Sequence, residues 1–95
     1  MQIKKVGWYK KCGIEQGNVV RSIAGRDKGN IFVVVNCDDE YVYLADGDIR
    51  KVENPKKKKI KHVELTTYFD ENLTDRIKKN RKLTNHEVKK FLKEI

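Results

Sequence analysis

The reading turns on residues 17–35, GNVVRSIAGRDKGNIFVVV. Val19, Val20 and Ile23 are apolar anchors of a first strand over Asn18–Ala24. Asn30–Cys37 (NIFVVVNC) is the strongest strand signal in the chain, because it is rich in β-branched residues and continuously apolar, as a strand buried at the centre of a sheet should be. Between them lies Gly25-Arg26-Asp27-Lys28-Gly29. Two glycines four positions apart around charged residues mark a tight turn that needs positive φ.

Further strands follow outward from this pair. Asp38, Asp39 and Glu40 read as a turn, and Tyr41–Ala45 (YVYLA) as a third strand. Asp46-Gly47 is a hairpin signal, and Asp48–Glu53 (DIRKVE) reads as a fourth strand with Ile49 and Val52 at the edge of the core. Pro55 interrupts, four lysines follow, and His62–Thr66 (HVELT) reads as a closing strand with Val63 and Leu65 inward. Five short strands in so little chain imply a mainly β fold, a small antiparallel barrel that removes exposed sheet edges. The tail changes period. Asp70 is placed to cap a helix over Glu71–Asn80. Thr84-Asn85-His86-Glu87 is a capping box, with Leu83 and Val88 at staple positions. Val88, Phe91, Leu92 and Ile95 form one stripe of a second short helix.

With 95 residues, there is room for one domain, and a hydrophobic share of 38% implies a small core with solvated appendages. The net charge of +8 is blocked rather than spread: residues 36–49 carry −5, while residues 50–62 and 76–95 carry +6 each. Blocks make patches, and positive patches suit a polyanion. Cys12 and Cys37 form no CxxC pair and read as reduced thiols. The longest apolar run is Ile31–Val35, too short to cross a membrane, and no apolar segment follows the first lysines. A cytoplasmic location is therefore expected.

The stretch GNVVRSIAGRDKGNIFVVV closely resembles the KOW motif, a strand, a glycine-centred loop and a second strand. DGDIRKVENPKKKKIKHVELT (46–66) is similar to the continuation in small stand-alone bacterial KOW proteins. Those in turn resemble KOW-barrel proteins of the archaeal and eukaryotic large ribosomal subunit. The resemblance covers residues 14–67 well and 70–95 loosely. It implies an SH3-like barrel over 14–67, a basic helical tail over 68–95, RNA binding and a ribosomal or translational setting. Residues 1–13, with Trp8 and Tyr9 among four lysines, fall outside it and read as an N-terminal extension.

The residues supply a chemistry for that reading. A glycine turn offers backbone N–H groups to phosphate, and Arg26 and Lys28 add charge at its tip. Asp27 between them disfavours phosphate and suits capping the turn or selecting a base donor. Gly25, Arg26, Lys28 and Gly29, with Arg21 and Ser22 on the strand before them, are candidate RNA contacts. So are Arg50, Lys51, Lys56, Lys57, Lys58, Lys59 and Lys61, the densest basic stretch. Four consecutive lysines are not expected to pack inward, and their alternative reading is a solvated linker. Tyr41 and Tyr43 share a strand face and fit barrel packing better than base stacking. Arg76, Lys78, Lys79, Arg81 and Lys82 suit RNA or solvation equally. His62 and His86 sit by no nucleophile, the acidic turns match no Ca²⁺ loop, and GRDKG is not a Walker loop, so neither enzyme activity, metal nor cofactor is expected. The expected partner is RNA, foremost ribosomal RNA, with ribosomal proteins beside it, and the free protein is expected to be a monomer. The rival readings are a protein-interaction module contacting ribosome or RNA polymerase, and a basic protein that binds DNA or a membrane surface.

Overall fold

The computed structural model describes residues 13–95. Cys12 and most of the expected N-terminal extension lie outside the described residues. Five strands form one antiparallel sheet: β1 (Val19–Ser22), β2 (Ile31–Cys37), β3 (Tyr41–Ala45), β4 (Lys56–Lys59) and β5 (Val63–Leu65), in the order β4-β3-β2-β1-β5. A single 3-10 turn, Ile60–His62, joins β4 to β5, the first strand pairs with the last, and the sheet forms a small barrel-like domain. A bulge between Val34 and Asn36 interrupts the β2–β3 register and bends the long central strand. Two helices follow, α1 (Glu71–Lys78) and α2 (Asn85–Lys93).

The continuous apolarity of β2 has a physical cause: both of its faces are buried. Phe32 and Val34 point into the barrel with Ile14, Val20, Val42, Leu44 and Val63. Val33 and its neighbour Val19 on β1 point the other way, against Leu73, Ile77 and Val88 of the helices. The helices therefore cap a sheet face that a strand of the barrel would otherwise expose. Asp70 accepts from the Leu73 amide at 3.0 Å to start α1. The helix ends at Lys78, two residues inside the expected boundary, and Asn80 beyond it takes the left-handed conformation at φ 59°. The Thr84–Glu87 capping box forms as the sequence implies, and Leu83 packs into the same cluster as Val88.

Several expectations need correction. Asp48–Glu53 is not a strand. Asp46 Oδ1 accepts the Asp48 and Arg50 amides at 2.8 and 2.9 Å, and Asn85 Oδ1 takes the Val52 amide at 2.8 Å. Amides bound to side chains cannot serve a ladder. Val52 packs beneath the helices, while Ile49 is 79% exposed. The loop closes onto α2 at Gly47, where φ is +79° and any Cβ would run into the Asn85 backbone. The fourth strand is instead the lysine run, Lys56–Lys59. Leu65 and Ile23 are exposed rather than inward. Leu65 ends a three-residue edge strand with no strand beyond it among the described residues, and Ile23 lies past the end of β1.

Candidate nucleic-acid interface

The glycine loop is built from its base upward. The Ser22 amide donates to Asn30 O (2.9 Å) and the Gly29 amide returns to Ser22 O (2.8 Å), closing the loop where β1 and β2 separate. Inside it, the Lys28 amide donates to Gly25 O and the Asn30 amide to Asp27 O. These turns require φ of +89° at Gly25 and +94° at Gly29, which glycine adopts without strain. The backbone amides of Gly25, Arg26 and Asp27 have no hydrogen-bond partner among the described residues.

The turn sorts its charges. Asp27 faces inward, with its side chain 12% exposed, and accepts from Ser22 Oγ (2.7 Å), Lys56 Nζ (2.8 Å) and Lys58 Nζ (2.9 Å). Burial alone would raise its pKa, but the hydrogen bonds from Lys56, Ser22 and Lys58 outweigh it and hold the carboxyl far below the usual range. Arg26 and Lys28, on either side, are exposed and have no ion-pair partner among the described residues. The inward aspartate thus anchors the loop and leaves both cations facing solvent.

This arrangement explains β4. Lys56 and Lys58 lie opposite Leu44 and Val42, whose side chains enter the barrel. Their ammonium groups reach Asp27, and Lys58 also donates to Ala24 O at 2.9 Å. The expectation that none of the four lysines packs inward fails at Lys58, whose side chain is only 8% exposed. A buried lysine is stable there because Asp27 and a carbonyl receive it. Lys57 lies on the other face, its ammonium 4.2 Å from the Tyr41 ring centroid. Tyr41 and Tyr43 are half-buried outside the barrel, and the Tyr43 hydroxyl donates to Asp38 Oδ2 at 3.3 Å.

The remaining candidates divide. Arg26, Arg50 and Lys56 line one cleft of about 220 Å³, together with Asn30, Phe32, Asp46 and the exposed Ile49. Arg50 is half-exposed and its guanidinium has no ion pair among the described residues. Ser22 is buried at 1% exposure and serves the loop from beneath. Arg21 pairs with Glu64 across the β1–β5 edge at 3.3 Å, and Lys51 donates to Asp48 O. Lys59 and Lys61 line none of this cleft. Of the tail cations, Arg76 binds both carboxylate oxygens of Glu87 and also Lys82 O, so it joins the helices. That guanidinium, with the Thr84 amide and hydroxyl, lowers the Glu87 pKa to about 2. Ile49, Asn30 and Asp46 join the cleft although their sequence pattern does not mark them for it. Ile49 carries the one available signal, an isoleucine beside Arg50 in a stretch flanked by turn residues.

Neither the protein-family models nor the curated proteins compared with this chain give a match. No helix among the described residues is long and apolar enough to cross a membrane.

Proposed function

We propose that the chain is a KOW-type RNA-binding protein that acts in the cytoplasm on structured ribosomal RNA or in ribosome assembly and translation, as a binding protein rather than an enzyme. One observation carries this reading: a preformed glycine loop whose aspartate is tied to the barrel while Arg26 and Lys28 are exposed and the backbone amides of residues 25–27 have no partner among the described residues. Such a loop meets phosphate oxygens with little ordering cost on binding. The adjoining cleft adds a second arginine, Arg50, and an exposed apolar side chain, Ile49, next to which a base can lie. The excess of +8 supplies the long-range attraction.

Crosslinking and sequencing of RNA bound to the tagged protein in its native cells tests this. Enrichment at one site of large-subunit ribosomal RNA is the expected result. Diffuse or absent crosslinks would overturn it. A protein-interaction module is the second reading, and the exposed Leu65, Tyr68 and Phe69 favour it. A stable protein partner recovered without RNA would replace the first reading by this one.

A further inference from the structure

The arginine cleft has a neighbour. A second hollow, of about 390 Å³, is lined by Ile31, Lys89, Leu92 and Lys93, and shares Asn30 and Asp46 with the first. The glycine loop contributes to both, through Arg26 on one side and Gly29 on the other. Lys89 and Lys93 stand one helical turn apart on α2 and are exposed. Lys89 makes only a 3.9 Å contact with Asp48, and Lys93 has no ion pair among the described residues.

Resting on the RNA-binding reading, we propose that the two clefts form one track for an unpaired RNA strand, with α2 as its second wall. The charges dictate how a strand would lie. Arg26 and Arg50 in one cleft and Lys89 and Lys93 in the other attract phosphates. Asp46, shared by both clefts, and Asp48, beside Lys89 in the second, repel phosphates, so a backbone seated on the cations turns its bases toward Asp46 and Asn30. One oxygen of Asp46 is occupied by the Asp48 and Arg50 amides. The other oxygen remains for an amino or imino donor of a base, and the exposed Asn30 side-chain amide has no partner among the described residues. Ile49 and the half-buried Leu92 offer apolar surface to base faces. A paired helix hides those faces, whereas an unpaired strand presents them.

The test is fluorescence anisotropy of the full chain over a salt series. The probes are a single-stranded RNA of about 12 nucleotides and a hairpin duplex of the same sequence. Lys89→Gln with Lys93→Gln is expected to weaken single-strand binding several-fold. The slope of log affinity against log salt should fall by roughly 0.7 for each phosphate no longer neutralised, with little change on the duplex. A control pair, Lys78→Gln with Lys82→Gln, should do less. If the α2 pair matches that control while Arg26→Gln still weakens binding, the track is wrong and the RNA reading stands. Equal weakening on duplex and single strand would overturn the unpaired-strand assignment. If the parent binds neither RNA more tightly than an equally charged control protein, the RNA reading itself fails, and the track with it.

Discussion

Lys56–Lys59 and the stretch from Lys78 to Lys82 each carry four cations, yet the fold uses them in opposite ways. In β4, strand pairing sends alternate side chains to opposite faces, so Lys56 and Lys58 are drawn to Asp27. At the end of α1 the chain leaves the helix through Asn80 and the cations fan outward. Lys78 and Lys79 make only exposed pairs with Glu15 and Asp75, both at 3.4 Å, and Arg81 and Lys82 make no ion pair among the described residues. Density of charge therefore does not measure availability to a polyanion. What faces the charge does.

The largest effect should come from breaking the inward set. Asp27→Asn leaves Lys58 buried without its counter-charge. Removing one partner of a fully buried pair costs roughly 3–5 kcal/mol. Here about 2–3 kcal/mol is expected in denaturant melts, because water still reaches Lys56. The sign with pH follows from the lowered pKa of Asp27. Its stabilising contribution is complete above the unfolded carboxyl value of about 4 and is lost progressively as pH falls below it. The gap in melting temperature between parent and Asp27→Asn should therefore narrow below about pH 4, and a constant gap would show that the carboxylate is not the stabilising group. Lys58→Met is milder. Asp27 keeps Lys56 and Ser22, and methionine retains most of the apolar stem, so about 1 kcal/mol is expected by the same melts. Lys79→Gln with Arg81→Gln should lie within about 0.5 kcal/mol of the parent. A larger loss would mean that the helix end is not the solvated region described here.

The sequence was legible where local chemistry coincided with the tertiary need. β2 announces itself by β-branched residues, because burial on both faces rewards them. The Thr84–Glu87 box and the Asp70 cap complete their bonds within three residues. The glycine loop shows its turn through Gly25 and Gly29. What could not be read depended on distant partners. Lys58 looks like a solvated lysine until Asp27, 31 positions away, is placed beside it. Asp48–Glu53 suggested a strand, but Ile49 and Val52 are three residues apart and so cannot share a strand face, and Asp46 and Asn85 take the amides a ladder needs. The same holds for the site. Arg26 and Lys28 were visible from the turn, whereas the grouping of Arg26 with Arg50, or of Asn30 with Lys89, required the fold.

The most direct test compares the salt dependence of RNA affinity in Arg26→Gln/Lys28→Gln with that in Lys58→Met. The loop pair should weaken binding and flatten the slope by roughly 0.7–0.9 for each phosphate left without its cation, while Lys58→Met leaves the slope unchanged because its ammonium belongs to Asp27. An unaltered slope in the loop pair, or one flattened as much by Lys58→Met, would contradict the assignment of RNA binding to the outward face of the glycine loop.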